Sequence, residues 1–379
     1  MFLRPPRLLL LSTLIGSIAS GWAHTLPQLI EAHDELSAFG TILGRFPDLL
    51  GNLTARGGTI FAPTNTAIRS FVSAEAGVDP EAIDLSSLTR ELVSDFFSYH
   101  YLPLSLRAED LSVRGGALVE TSLLRERLAN LDGTPNVVYA SAYGSTGLEI
   151  APSPLKIFSG VGQESNVTTT DLEIEGGGFV HIIDRVLNFP RTCTDTAETA
   201  SLSTLLDALV RTNLTEVVDT TPKFTCFAPT DEAFRAAGID LDALSTDQIA
   251  DALKYHSIVG DIGYSTAFED SQQYETLLGV NVTVHKREGQ LFINDVAVER
   301  GNVIMTNGVA HVLSGVLVPP VSGSPSGTGG GDASGPGGSN TGAGAAPGPS
   351  STRTADAPSA LRVGKYALMS LIFATLVLV

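Results

Sequence analysis

Two histidines occur at matching places in each half of the chain, and they are its best candidates for chemistry. His100 and His181 lie in the first half, and His256 and His311 lie in the second. An imidazole can act as a general base or as a metal ligand near neutral pH. No carboxylate recurs beside these histidines in both halves, so the sequence shows neither the partner of a general base nor a further ligand for a metal. We therefore expect buried imidazoles that bind backbone groups, with no catalytic residue, no metal site and no cofactor.

Sequence signatures of common enzymes point the same way. The His-Glu-x-x-His, Gly-x-Ser-x-Gly and P-loop patterns do not occur in the chain. Paired carboxylates at glycosidase separation would make a wall-modifying or carbohydrate-modifying enzyme. The acidic residues form no cluster that both halves share, so this stays the alternative, together with a purely structural surface scaffold.

The composition limits the classes of protein that the chain can belong to. Its 379 residues include 41 acidic and 23 basic side chains, for a formal charge of -18. That length gives room for two domains, and the acidic balance argues against a nucleic-acid partner, because such partners are bound mainly by Lys and Arg. The two cysteines are too few for a disulfide-rich scaffold or a four-thiolate zinc site.

An internal repeat places the histidines in two copies of one unit. The repeat consists of three motifs in the same order: Phe-Ala-Pro-Thr at 61–64 and 227–230, a Tyr-His pair at 99–100 and 255–256, and a closing His-containing block at 177–187 and 307–317. The spacing between the first and last motifs is longer in the first copy, which predicts insertions within residues 102–170.

The pattern around the motifs predicts α+β structure. The Phe-Ala-Pro-Thr motif predicts a strand that ends at proline and a helix capped by Thr64 or Thr230. Helical spacing places His256 on an inward-facing side. From residue 280 onward, alternating apolar residues predict hairpins of an antiparallel sheet, with turns at Glu288-Gly289 and Arg300-Gly301.

Taken together, these motifs resemble the fasciclin domain. The resemblance covers residues 28–188 and 198–319, and it implies two tandem domains, each a twisted antiparallel β-sandwich or wedge packed with several short α-helices. It also implies a non-catalytic role in contact with other surface or matrix proteins or glycans, including homophilic contact. The sequence departs from the family pattern at Cys226, a position that is usually apolar, and after His311, where Val-Leu-Ser replaces the acidic pattern seen at Asp184.

The resemblance also suggests where a partner binds. The Tyr-His region of relatives is implicated in receptor binding, so Tyr99, His100, Tyr255 and His256 are the transferable contact candidates. Helical phase argues instead that His256 lies in the core. The sheet edges and the insertions of the first copy are alternative contact surfaces.

Both ends of the chain read as targeting segments. Residues 1–23 have the layout of a secretory signal peptide, with an apolar run shorter than the about 20 residues of a membrane span. Residues 321–358 are a tether rich in Gly, Ser and Pro, and residues 359–379 are an apolar tail. This order predicts a GPI anchor at Ala355 or Asp356, with a tail-anchored helix as the alternative. The expected location is the outer face of the plasma membrane or the cell wall, with the vacuole as a further alternative. Together with the resemblance, these segments look like those of a fungal fasciclin-like surface protein, with a plant source as the alternative.

Secretion would allow N-glycosylation and disulfide formation, and the chain has candidate residues for both. Four Asn-x-Thr sequons become candidate N-glycosylation sites: Asn52, Asn166, Asn213 and Asn281. Cys193 and Cys226 would form a disulfide in an oxidising compartment. In the chain-entropy model, closing a loop of about 33 residues stabilises the fold by roughly 3 to 4 kcal/mol. The alternative is a buried Cys226 and a free Cys193.

Overall fold

A computed structural model describes residues 24–54, 57–76, 85 and 88–319 as two copies of one α+β domain. The predicted signal peptide, tether and apolar tail, with Ala355 and Asp356, lie outside the described residues. Within the described part, no helix is long and apolar enough to cross a membrane.

The strands of each copy form one sheet. The first copy contains β1 (Thr59–Pro63), β2 (Tyr101–Leu102), β3 (Ala117–Glu120), β4 (Val137–Ser141), β5 (Lys156–Phe158), β6 (Glu164–Ile174) and β7 (Gly178–Ile183). The second contains β8 (Phe224–Pro229), β9 (Ser257–Val259), β10 (Gln273–Glu275), β11 (Asn281–Arg287), β12 (Gln290–Ile293), β13 (Val296–Met305) and β14 (Gly308–Leu313).

Short helices pack against each sheet. Those of the first copy are α1 (Leu26–Ala32), α2 (Ser37–Gly44), α3 (Pro47–Thr54), α4 (Asn65–Ala76), α5 (Arg90–His100) and α6 (Ala108–Leu111). Those of the second are α7 (Cys193–Thr199), α8 (Ser203–Arg211), α9 (Thr215–Thr220), α10 (Asp231–Ala236) and α11 (Thr246–Tyr255). The predicted caps are confirmed: Thr64 Oγ1 accepts the Ala67 N–H, and Thr230 Oγ1 accepts the Ala233 N–H.

The two sheets have the same strand order, which confirms the tandem α+β fold. The order is β2-β1-β7-β6-β5-β4-β3 in the first copy and β9-β8-β14-β13-β12-β11-β10 in the second. The description of the sheet as antiparallel needs one correction. β1 pairs with β7 and β8 pairs with β14 in parallel, because the first and last strands of each copy run in the same direction side by side.

Each sheet curls until its two edges nearly meet. In the first copy the Ser122 N–H donates to the Tyr101 carbonyl at 3.1 Å, just past β3 and at the start of β2. In the second copy the Leu277 N–H donates to the Ser257 carbonyl at 2.8 Å. These contacts make each sheet a nearly closed one, with an apolar core inside it and a second core between the sheet and the helices.

The alternation of side chains along the first strand of each copy separates these two cores. Ile60 and Ala62 of β1 face the helices, and Phe61 packs inside the curled sheet. In β8, Cys226 faces the helices and Phe227 packs inside the sheet. The cysteine thus occupies a core position that the family pattern fills with an apolar side chain.

Arg300-Gly301 was expected to be a hairpin turn, and that prediction is wrong. Both residues lie inside β13, where the pairing with β14 shifts register and Asn302 adopts a φ of 51°. The local pattern mimics a turn because a bulge also interrupts the alternation of a strand. The predicted turn at Glu288-Gly289 is confirmed, with positive φ at both residues.

The predicted insertions of the first copy lie between strands and reach the second copy. Residues 121–136 stand where the second copy has 276–280, and residues 142–155 stand where it has the tight turn 288–289. The side chain of Asn136 is fully buried, and its Nδ2 donates to the carbonyls of Leu128 and, across the domain boundary, Met305. The first insertion therefore joins the two copies.

The second insertion contacts the bulge of β13. Ser145 Oγ accepts the Gly301 N–H at 3.0 Å, and the Ser145 carbonyl accepts a hydrogen bond from Asn302 Nδ2 at 2.7 Å. A side chain at position 301 would place its Cβ 2.6 Å from Thr146, so glycine permits this close approach. The bulge of β13, for which the sequence predicted a turn, is thus part of the interface between the two copies.

An apolar cluster completes the interface. Val137 of β4 packs with Tyr264, Ile304 and Val309 of the second copy. Arg300 of β13 reaches back to the first copy, where its Nη1 donates to the Gly162 carbonyl at 3.1 Å. The copies meet through buried apolar and polar contacts, which makes them one unit rather than two loosely linked domains.

Candidate functional site

The Tyr-His pair ends the same helix in both copies. Tyr99 and His100 are the last residues of α5, whose N-terminus is capped by Thr89. Tyr255 ends α11 and His256 follows it as the C-cap; a capping box of Ser245 and Gln248 begins that helix. The pair therefore lies where each helix turns into an edge strand of the sheet.

The two histidines of the pairs bind the backbone on both sides. Nδ1 of His100 lies 2.8 Å from the Phe96 carbonyl, and Nε2 accepts the Leu187 N–H at 3.0 Å. His256 repeats the arrangement with the Ala252 carbonyl at 2.8 Å and the Leu317 N–H at 2.9 Å. A carbonyl on one nitrogen and an N–H on the other fix a neutral ring with its proton on Nδ1.

The tyrosines of the pairs are anchored inside the curled sheets. Tyr99 Oη donates to the Val137 carbonyl at 3.2 Å, and Tyr255 Oη lies 3.3 Å from the Asn281 carbonyl. Val137 and Asn281 are the first residues of the equivalent strands β4 and β11. Each tyrosine therefore ties its helix end to the start of the same strand.

The histidines of the closing motif bind a different pair of backbone groups. Nε2 of His181 lies 3.0 Å from the Leu106 carbonyl, and its Nδ1 accepts the Asp171 N–H at 3.2 Å. Nε2 of His311 lies 2.7 Å from the Gly263 carbonyl, while its buried Nδ1 has no hydrogen-bond partner among the described residues. These rings therefore carry their proton on Nε2, opposite to the first pair.

Burial holds all four imidazoles neutral. Desolvation lowers the pKa of His100 to about 3 and the pKa of His256 and His311 to about 4, and it also lowers the pKa of His181. The prediction that these histidines are buried and bind backbone groups is confirmed. Among the described residues, no group of three or more His, Cys, Asp or Glu side chains is placed to hold a metal ion.

The predicted contact role of the Tyr-His pairs does not fit this arrangement. Tyr99 and His100 have no exposed surface, and Tyr255 and His256 are 3% and 5% exposed. All four side chains are buried, and each one binds a backbone group in the core. A partner would reach them only if the end of α5 or α11 opened, so a direct contact by these side chains is not supported.

The candidate glycosylation sites differ in their surroundings. Asn213 is exposed after α8, and Asn281 is exposed at the start of β11. Asn166 is half-buried in β6, and its Nδ2 donates to Asp184 Oδ2 at 2.7 Å. The side chain of Asn52 lies outside the described part of the structure.

Cys193 and Cys226 lie together in the second copy as free thiols. Cys193 opens α7 and belongs to the core beneath the helices. Contact with Cys226, together with burial, raises the pKa of the Cys193 thiol well above its usual value. The disulfide stays a prediction, and the structure adds that the two sulfurs are neighbours.

Sequence reasoning missed the residues that join the copies. Asn136 and Ser145 lie in insertions that exist in one copy only, and neither they nor Tyr264 and Asn302, which face the first copy, belong to a repeated motif. The available signal was the extra length of the first copy between its motifs. That length located the insertions but gave no indication of what they bind.

Comparison with known proteins agrees with the repeat. The family model described as Fasciclin domain matches residues 34–190 and 200–319. A fasciclin-like arabinogalactan protein of the fungus Arthroderma benhamiae is 26% identical over 299 residues, covering 79% of this chain and 67% of the relative. The fasciclin-like arabinogalactan protein elcF of the fungus Phaeosphaeria nodorum is 27% identical over 297 residues, covering 78% of this chain and 89% of the relative.

A solved structure is also similar. It is a FAS1 domain pair from the insect cell adhesion molecule fasciclin I, with 20% identity and a TM-score of 0.35, covering 75% of this chain and 97% of that chain. The family model matches well over half of the chain, in two copies that place their motif residues alike. The chain belongs to the fasciclin domain family.

Proposed function

We propose that the chain is a non-catalytic surface protein that mediates adhesion to other cells or to the extracellular matrix. The observation that carries this proposal is the presence of two complete fasciclin domains whose shared polar side chains are all used internally. The four motif histidines and two motif tyrosines bind backbone groups in the core. These motif side chains therefore stabilise the fold, and a partner would bind to the solvent-exposed surface of the domains.

The interface between the two copies supports an adhesive role. The Asn136 amide and the apolar cluster around Tyr264 join the domains into one body, so the outer surfaces of both keep a fixed relation to each other. A fixed surface loses little conformational freedom when it binds, which favours affinity. The insertions of the first copy, which were candidate partner surfaces, are partly covered by this internal contact.

The proposed location follows from the sequence of the two ends. A signal peptide at 1–23, a tether at 321–358 and a GPI signal at 359–379, with attachment at Ala355 or Asp356, would hold the folded pair on the outer face of the plasma membrane or on the cell wall. Many copies in one membrane bind together, so a weak single contact is amplified by effective concentration. The net charge of -18 favours a basic or cation-bridged partner.

Bead clustering tests this function. Beads coated with a secreted chain that ends before the apolar tail are mixed with each other, with uncoated beads and with beads coated with wall polymers, with and without calcium. We expect coated beads to cluster with one another or with the polymer-coated beads, and more strongly as the density of coating rises. Dispersed beads in every mixture and at every density would contradict the proposal.

A further inference from the structure

We infer that Cys193 and Cys226 become a disulfide bridge that fastens the junction between the two domains to the central strands of the second. The inference rests on the proposed function in one respect, because a secretory compartment supplies the oxidising reagent. The geometry that supports it belongs to the fold alone.

The two thiols are brought together by elements that are each held firmly. Cys193 is the first residue of α7, where Thr192 caps the helix and Asp219 accepts both the N–H and the hydroxyl of Thr194. Cys226 is in the middle of β8, paired with Ala310 on one side and with Ser257 on the other. Both side chains are buried in the same core and line the same cavities, which makes the two thiols neighbours.

Small cavities lie on either side of the pair. One of about 50 Å³ opens towards Gly162 and Arg300 at the domain boundary, and one of about 20 Å³ lies towards Leu277 and His256; both cysteines line both cavities. A water molecule needs about 10 to 15 Å³ on this scale, so these cavities are far too small for a peptide-sized disulfide reagent.

Because the cavities are too small for the reagent, the disulfide must form before the helix carrying Cys193 has packed onto the strand carrying Cys226. The bridge forms by exchange with a disulfide of the glutathione class, before α7 closes over β8. One cysteine thiolate attacks the reagent, forms a mixed disulfide and expels one thiolate. The other cysteine, as its thiolate, attacks the protein sulfur of that mixed disulfide, forms the Cys193 to Cys226 bond and expels the second. The protein loses two electrons and two protons, and the reagent is reduced to two thiols.

The position of the bridge ties it to the domain junction. Arg191, two residues before Cys193, accepts the Thr306 N–H through its carbonyl at 2.9 Å. Thr306 follows β13, and the strand after it, β14, pairs with β8 at Cys226. A bond between the sulfurs closes a ring of contacts through α7, β8 and β14, so the chain between the copies is held to the second sheet.

Two preparations test whether the bond forms. The full chain isolated from secreting cells is unfolded without reductant, treated with a maleimide and weighed. A second sample is reduced, unfolded and refolded with oxidised and reduced glutathione before the same treatment. We expect no maleimide adduct on either sample, and two adducts after reduction. Two adducts, or glutathione on both cysteines, in both samples would overturn the inference.

The two preparations separate this inference from the proposed function. A bridge in the refolded sample supports the inference wherever the cell keeps the chain. Free thiols in the isolated sample, with a bridge in the refolded one, would count against secretion and leave the bridge supported.

Thermal unfolding tests what the bond does. We expect the melting temperature of the bridged chain to exceed that of the reduced chain by about 5 °C or more. The double variant Cys193→Ala with Cys226→Ala is the matched control, and its melting temperature should not respond to reductant. A bridged wild type that melts at the same temperature with and without reductant would overturn the fastening role.

Discussion

Nε2 of His256 accepts a hydrogen bond from the backbone N–H of Leu317 at 2.9 Å. His256 lies at the end of the last helix, and Leu317 lies beyond the last strand, so one side chain ties the helical layer to the end of the domain. His100 and Leu187 repeat the contact at 3.0 Å in the first copy. The Tyr-His motif recurs because each domain closes its fold in this way.

Removing this imidazole should destabilise the second domain. His256→Ala leaves the buried Leu317 N–H without an acceptor and opens a cavity beneath α11. The two effects together should lower the free energy of unfolding by about 2 to 4 kcal/mol. Urea denaturation measures the change. His33→Ala is a matched control, because His33 is partly exposed and contacts Glu35 at the surface, and it should cost less than about 0.5 kcal/mol. Equal losses for the two variants would contradict the closing role.

Stability should fall between pH 7 and pH 5. The folded pKa is about 3 for His100 and about 4 for His256 and His311, against 6.5 for an ordinary histidine. Below pH 6.5 these histidines are therefore protonated in the unfolded chain and stay neutral in the folded chain. The stabilisation is fully present above pH 6.5 and is lost as the pH falls towards the folded pKa values.

The size of this effect can be measured by urea denaturation at pH 7, 6 and 5. Each buried histidine should contribute up to about 1.4 kcal/mol per pH unit below its unfolded pKa. His256→Gln should give a shallower slope than the wild type. The raised pKa of Asp95, Asp195 and Asp219 acts in the opposite direction, because the folded chain binds protons on these carboxyls more readily than the unfolded chain does, so the comparison with His256→Gln isolates the histidine contribution. A free energy of unfolding independent of pH in this range would contradict the prediction.

The Asn136 amide should couple the unfolding of the two domains. Asn136→Ala leaves the buried carbonyls of Leu128 and Met305 without this donor, and we expect a loss of about 2 to 3 kcal/mol. Differential scanning calorimetry should then show two transitions where the wild type shows one. Asn130→Ala is the comparison, because that side chain also donates across the domain boundary, to the Thr220 carbonyl, but lies near the surface, so its loss should cost less and leave one transition. One unchanged transition in Asn136→Ala would show that the amide does not couple the domains.

Glycans should be carried by Asn213 and Asn281 rather than by Asn166. The first two are exposed, whereas a glycan on Asn166 would displace its half-buried amide from Asp184. Mass spectrometry of Asn→Gln variants of the secreted chain checks this. Asn213→Gln and Asn281→Gln should each lose one glycan mass, and Asn166→Gln should lose none. A glycan on Asn166 would contradict the proposed role of its contact with Asp184.

The sequence predicted the features that depend on local contacts. The threonine caps, the helix before each Tyr-His pair and the inward side of His256 follow from residues a few positions apart. The parallel pairing of β1 with β7 and the bulge at Gly301 depend on strands distant in sequence, so no local pattern could identify them. The hydrogen bond from Asn136 to the Met305 carbonyl joins the two copies through an insertion. Comparing the two copies could not predict this contact, because the insertion is present in only one of them.

The most direct test compares bead clustering by the wild type with clustering by the double variant Tyr99→Phe with Tyr255→Phe. Each change removes one buried hydroxyl and leaves the ring, at a cost of about 1 kcal/mol. We expect wild-type beads to cluster, and variant beads to cluster equally while the variant melts at a lower temperature. A wild type that does not cluster, or a folded variant that no longer clusters, would contradict an adhesive surface supported by an internal Tyr-His framework.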